Sequence, residues 1–192
     1  MKYFAPIETT IDQHWFPYEN NTLSPIIDTK LKTTECHGKY VVYLPFEDQK
    51  TITQILQQFP NEIFLQYSPQ LVDEQQQNVS LGTTQHDAFK RDFCGAKVVI
   101  CNSGFELNSE CTHLGLPILT KPLFGQMEQL SNAHVLSELG YADSIEAITF
   151  DNLKVWISKE KLINPNPYPN VAEETVKWIL DGDLKNMTQL KT

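Results

Sequence analysis

This 192-residue chain is short of several things, and each shortage narrows what it can be. No window approaches the roughly 18–20 consecutive apolar residues of a membrane-spanning helix, so no transmembrane segment is expected. The opening, MKYFAPIETTIDQHW, has no basic stretch followed by an apolar run and does not read as a secretory signal. Positive charge is scarce: 15 Lys plus Arg against 24 Asp plus Glu leave a net charge of −9 and a pI near 5.0. That balance argues against a broad electrostatic grip on nucleic acid, which needs clustered basic residues. A single phosphate ester stays within reach, because a helix N-terminus can hold one without net positive charge. The four cysteines, Cys36, Cys94, Cys101 and Cys111, form no CxxC pair and no metal-like spacing with the five histidines. Buried, reduced thiols in a cytoplasmic protein are expected. There is no internal repeat, and Gln75-Gln76-Gln77 reads as a polar loop.

What is present describes a globular chain: 41% hydrophobic and 20% charged residues, at a length that suits one domain with an arm. Three regions differ in texture. Residues 1–38 form an N-terminal arm or linker carrying Tyr3, Phe4, Trp15, Phe16 and Tyr18; so aromatic an arm is expected to pack on something. Residues 39–141 alternate strands and helices. Strands are expected at 39–44, 62–67, 78–81, 97–101 and 116–120, and helices at 51–59, 87–94, 105–114 and 126–139. Gly115 and Gly140 stop the last two helices. Continuous apolar strands between helices imply a doubly wound parallel sheet, which binds ligands beyond its strand C-termini. Residues 142–192 read as a helical tail packing on that domain, with helices over 150–157 and 171–180 and an extended NPNPYP stretch at 164–169.

Two segments fall at the expected sheet rim. In the first, Cys101 to Glu110, a strand ends near Cys101, Gly104 makes the turn and a helix starts near Phe105. The free N–H groups of that first turn face the rim and make an anion site. An ordinary strand–turn–helix capped by Asn102 or Ser103 fits the same letters. Glu106 and Glu110 share one helix face at a like-charge spacing that costs a few tenths of a kcal/mol. Such a broken local rule points to a site, and a carboxylate one turn past a phosphate-holding turn suits a ribose diol. Simple solvent exposure is the plain alternative for Glu110. In the second segment, Lys121 to Ala133, Glu128, Gln129 and Asn132 offer acceptors and amide donors to a polyhydroxylated ligand, or merely a polar helix start.

Together, NSGFELNSECTHLGLPILTKPLFGQMEQLSNAHVLSELG resembles the nucleotide-sugar-binding motif of GT-B glycosyltransferases. It is most similar to bacterial and archaeal enzymes whose C-terminal halves read GFEL, then GQ.EQ, then NA. YLPFED at 43–48 looks like the first strand and loop of that half, so the likeness spans roughly residues 40–141. The resemblance implies a Rossmann-like fold and transfer from a nucleotide diphospho-sugar, UDP-linked, as donor substrate, with no separate cofactor. It implies that Asn102, Ser103, Gly104 and Phe105 hold the diphosphate and that Glu110 binds the ribose. Gln126, Glu128 and Gln129 then lie along the donor sugar, and Asn132 supports the loop. The base is expected near Thr83 to Phe89. Plant relatives carry histidine, Asn and Ser where Asn102, Glu106 and Leu107 stand here, which favours backbone over side-chain phosphate contacts.

Helix N–H donors aimed at the leaving diphosphate let the reaction run without a metal, and no DxD-type pair occupies a suitable loop. The catalytic base is not assigned; His86, His113 and His134 are candidates only by residue type. Because this family normally carries its acceptor site on an N-terminal domain, the chain is expected to be a donor-binding half. It would then need that domain or a separate subunit as partner, at the inner face of a membrane or free in the cytoplasm, and turn over little alone. A sugar-nucleotide epimerase of the same fold and a non-catalytic nucleotide-sugar-binding subunit remain as alternatives.

Overall fold

The computed structural model describes residues 10–18, 21–84, 86–159 and 163–182, with His86 described by its backbone alone. The chain divides into two compact units, Leu31–Asn166 and the pair of segments Met1–Lys30 and Pro167–Thr192.

The smaller unit holds a two-residue parallel strand pair, β1 (Asp12–Gln13) and β2 (Thr22–Leu23). Trp15 and Leu23 are buried, whereas Phe16 and Tyr18 are exposed. Tyr3 and Phe4, two aromatics of the expected arm, lie outside the described residues.

The larger unit follows in chain order: β3 (Tyr40–Tyr43), α1 (Gln49–Leu56), β4 (Phe64–Tyr67), β5 (Glu74–Gln76), β6 (Val79–Gly82), α2 (His86–Cys94), β7 (Val98–Asn102), α3 (Phe105–Leu114), β8 (Ile118–Lys121), α4 (Met127–Glu138), β9 (Ala142–Ser144) and α5 (Phe150–Ile157). A last helix, α6 (Val171–Asp181), belongs to the smaller unit, where the Asn170 side chain caps it on the Glu173 N–H.

The sheet runs β5-β6-β4-β3-β7-β8-β9 and is parallel except for β5, which is antiparallel to β6. It is therefore a mostly parallel, Rossmann-like α/β sheet. Tyr40, Val42, Phe64, Val98 and Ile100 point to one face and pack with Ile52 and Leu56 of α1 and Leu153 and Trp156 of α5. Their neighbours Val41, Leu65, Val99 and Cys101 point to the other face and are buried as well. Burial on both faces explains why these strands are continuous apolar runs rather than alternating ones.

Strand order reverses at β3. Successive strands are added outward from it on both sides, β4 and β6 one way and β7, β8 and β9 the other. The crevice beyond the C-terminal ends of β3 and β7 is thus the topological switch point, where open α/β sheets take ligands.

Several elements differ from expectation. Gln75 and Gln76 are not loop but part of the edge strand β5, followed by Gln77 at φ 55°. Asn102 and Ser103 do not cap α3; its N-cap is Gly104, with no side-chain hydrogen bond. Helix α1 starts at Gln49 rather than residue 51, because the Asp48 carboxylate accepts from the Thr51 N–H at 2.8 Å and caps it there. The sheet continues past residue 141 into β9. Residues 31–38 are held on the larger unit: Thr34 and His37 donate backbone N–H groups to the Cys94 and Gly95 carbonyls, each at 3.0 Å. The four cysteines form no disulfide, and Cys36 is exposed rather than buried. No helix among the described residues is long and apolar enough to cross a membrane.

Candidate functional site

The turn between β7 and α3 is fixed by side-chain amides that reach for its carbonyls. Asn108, fully buried one turn into α3, donates Nδ2 to the carbonyls of Asn102 at 3.1 Å and Gly104 at 2.6 Å. Asn132 of α4 donates to the carbonyl between them, that of Ser103, at 3.0 Å. Three successive carbonyls are thereby drawn toward protein donors. In a trans peptide the N–H points opposite to the C=O, so the N–H vectors of Ser103, Gly104 and Phe105 are turned the other way. No side chain caps α3, so its first-turn N–H groups keep the partial positive charge of a helix N-terminus.

The side chains a sequence would assign to capping are employed elsewhere. Asn102 donates Nδ2 to the Lys121 carbonyl at 2.9 Å, and Ser103 Oγ shares a hydrogen bond with Thr120 Oγ1 at 2.7 Å. Both tie the end of β7 to the end of β8. Asn102 Oδ1 is buried with no partner among the described residues. A third cross-rim tie joins Lys121 Nζ to Glu47 Oε1 at 2.5 Å, holding the loop after β3.

Two cavities open at this rim and share Tyr43 and Leu107 as a common wall. The first, about 340 Å³, is lined by Phe89, Phe93, Lys90, Glu106 and Glu110. Its aromatic side is braced: the Phe89 ring lies 5.4 Å from Tyr43, 5.2 Å from Tyr67 and 6.0 Å from Phe93. Tyr67 in turn donates its hydroxyl to Asp92 at 2.5 Å, and burial raises its pKa. The second, about 370 Å³, is lined by Phe46, Gln70, Asn102, Gly104 and Gln129. Gly104 has φ −69° and ψ 153°, a conformation open to any residue, and a Cβ built there meets no atom within 4 Å. Its lack of a side chain keeps the approach to the turn clear.

The sequence candidates therefore divide. Asn102, Gly104 and Gln129 line the second cavity and Glu110 the first. Glu110 is half-buried and Glu106 exposed, both on the face of α3 that meets the first cavity. Gln129 is buried and accepts from the Leu123 N–H through Oε1 at 3.1 Å, which leaves its NH₂ end. Ser103 is buried in the turn, Phe105 opens α3, and Asn132 is committed to the Ser103 carbonyl. Gln126 and Glu128, both exposed, line neither cavity. Of the stretch 83–89, Thr84 and Phe89 line the first cavity, and Gln85 lies outside the described residues.

The histidines stand apart. His113, half-buried on α3, has its pKa lowered by burial. His134 on α4 is exposed and sits 3.4 Å from Glu138. Neither lines the two cavities, and the His86 side chain is outside the described residues. Among the described residues no group of three or more His, Cys, Asp or Glu could hold a metal ion.

Lys90, Phe93 and Gln70 were not singled out from the sequence, and Leu107 entered only as a departure from the plant pattern. The first two are on α2, where Phe93 follows Lys90 at i+3 and Phe89 at i+4, and that shared helix face was the available signal. Gln70 sits in an irregular loop with none.

A family model described as glycosyl transferase family 1 matches residues 20–159, well over half of the chain. No curated protein matches it in sequence. Among solved structures, the glycotransferase of kitacinnamycin superposes with a TM-score of 0.54 at 17% identity, covering 71% of this chain and 40% of its own. The glycosyltransferase SnogD from Streptomyces nogalater superposes at 0.50 with 15% identity, covering 77% of this chain and 41% of its own. The solution structure of ALG13 superposes at 0.50 with 13% identity, covering 79% of this chain and 98% of its own. The chain thus spans about two-fifths of the first two.

Proposed function

The chain belongs to glycosyl transferase family 1, and from that premise we propose that the Leu31–Asn166 unit is the donor-binding half of a glycosyltransferase, holding a UDP-linked sugar beyond the ends of β3 and β7. The observation that carries this reading is the Gly104 turn: an uncapped helix N-terminus whose carbonyls are all drawn inward, facing cavities on both sides.

In this reading the diphosphate lies against the Gly104 turn and the first N–H groups of α3. The nucleoside occupies the cavity of Tyr43, Phe89 and Phe93, where ring faces suit a base and Glu110 accepts from the ribose hydroxyls. The sugar occupies the second cavity, beside Gln129. Gln126 and Glu128, exposed at the mouth of α4, reach the sugar once the acceptor side is in place.

Chemically, the bond from the sugar's anomeric carbon to the diphosphate oxygen breaks as the acceptor oxygen attacks. Negative charge builds on the leaving diphosphate, and preorganised N–H donors lower that barrier without a metal. The acceptor and its general base come from an N-terminal domain or a separate subunit. A cytoplasmic location belongs to the same reading and is supported by four cysteines that form no disulfide.

Calorimetric titration with UDP and UDP-sugars tests it: binding with little acceptor-free turnover is expected. Acceptor-free interconversion of a UDP-sugar would replace transfer by epimerisation, and absence of binding would remove the nucleotide-sugar reading.

A further inference from the structure

A third cavity on the larger unit, about 480 Å³, is larger than either rim cavity and touches the donor site described above only through Gln70. It lies between α1 and the loop that leads into β5. Five glutamines line it: Gln49, Gln54, Gln57, Gln70 and Gln76. Gln70 also lines the second rim cavity, so the groove runs on from the place assigned to the donor sugar.

The groove is built over a buried polar network. Gln66, 1% exposed in the middle of the apolar strand β4, donates Nε2 to the carbonyl of Gln49 and to its side-chain Oε1, each at 3.1 Å. Thr53 Oγ1 donates within 2.8 Å of Gln66 Oε1, and Gln49 Nε2 donates to the Leu44 and Glu47 carbonyls, each at 2.8 Å. A polar side chain in a core strand is costly unless satisfied. Here full satisfaction fixes the position of Gln49 and Thr53 in the groove wall.

Gln76 Nε2 donates to Glu74 Oε2 at 2.9 Å, and the other three amides are uncommitted. Among the described residues, no hydrogen bond engages the side chains of Gln54, Gln57 or Gln70. Each offers two donors and an acceptor within one planar group, which matches the alternating donor and acceptor character of neighbouring sugar hydroxyls. Lys50 and Glu74 contribute one charge of each sign, so the groove selects for neither anions nor cations. Leu71, Val72 and Leu81 add apolar surface suited to the C–H face of a pyranose. The volume lies within the ~300–1,000 Å³ of small-molecule sites.

We propose that this glutamine-lined groove binds a neutral saccharide. This saccharide binding does not depend on the donor-site reading.

The test is a titration of the full ¹⁵N-labelled chain with cellobiose, maltose and chitobiose, following the side-chain NH₂ signals of Gln54, Gln57 and Gln70. UDP is titrated separately and followed at Gly104 and Glu110. At least one disaccharide is expected to shift the glutamine signals, with affinity falling about tenfold in a Gln54→Ala/Gln57→Ala double variant while UDP affinity stays unchanged. Gln54 is exposed on α1 and Gln57 is its C-cap in a helical conformation, so both positions accept alanine. No shift with any of the three sugars, or binding that the double variant leaves intact, overturns the proposal. Sugar binding without UDP binding upholds the groove and counts against the donor-site reading alone.

Discussion

Asn132 donates its side-chain amide to the Ser103 carbonyl at 3.0 Å, so a residue on α4 sets the backbone direction of the turn ahead of α3. The spacing of 29 residues between them is a spatial adjacency created by parallel strands β7 and β8. Asn132→Ala is expected to cost about 1 kcal/mol of stability and to weaken UDP binding several-fold by loosening the turn. Asn132→Asp, which places a carboxylate against a carbonyl, is expected to do worse on both counts. Denaturant unfolding and UDP titration of the two variants measure this; unchanged UDP affinity in both would show that the turn holds its direction without the tie.

Gly104 gives a cleaner separation of binding from folding. Its backbone needs no glycine and its Cβ position is open. Valine is a poorer N-cap than glycine, so Gly104→Val is expected to lower the thermal midpoint slightly while reducing UDP affinity at least about tenfold, because the side chain would fill the approach to the turn. Gly115 is the contrast: at φ 71° its Cβ would lie 2.7 Å from Pro165, so Gly115→Ala is expected to destabilise by about 1–3 kcal/mol or more. Thermal melts with paired UDP titrations distinguish the two.

The strands and helices that build this site were legible because burial on both faces writes itself as unbroken apolar runs. Val98 to Cys101 and the helix from Phe105 to Leu114 are the clearest cases. Strand β5 was illegible for the opposite reason. An exposed edge strand of Glu and Gln needs only backbone pairing to β6 and leaves no hydrophobic period. In β9 only Ala142 is buried, too little for a pattern. At the site, sequence order suggested Asn102 and Ser103 as caps, but neighbouring strand β8 offers them partners that no local spacing reveals. The carbonyl-binding role of Asn108 was hidden in the same way, since a buried helical Asn gives no local sign of what it holds.

Glu110 is expected to act through the ribose. Glu110→Gln should lower UDP affinity about tenfold. Wild-type chain should bind 2′-deoxyuridine diphosphate about as poorly as the variant binds UDP, and the variant should hardly distinguish the two ligands. Additive losses from the two changes would place Glu110 away from the diol.

The cysteines give a pH signature. Burial pushes the Cys101 thiol up to about 12, and Cys111 is raised well above its ordinary value by burial, with the nearby Cys101 and Glu110 adding to it. The folded state thus keeps protons that the unfolded chain releases above about 8.5. The corresponding stability is complete below that pH and is lost as pH rises toward the folded values. Thiol labelling at neutral pH should modify Cys36 quickly and Cys94, Cys101 and Cys111 only on unfolding, and the denaturant midpoint should fall from pH 8.5 upward. Rapid native labelling of Cys101 or Cys111 would contradict the burial.

The proposed grip of the α3 turn on a diphosphate is most directly tested by comparing UDP with uridine in amide NMR spectra of the full chain. UDP is expected to move the backbone N–H signals of Gly104 and its neighbours strongly downfield, while uridine shifts only the cavity of Phe89 and Glu110. Equal shifts from both ligands at Gly104, or none from UDP, would contradict the account.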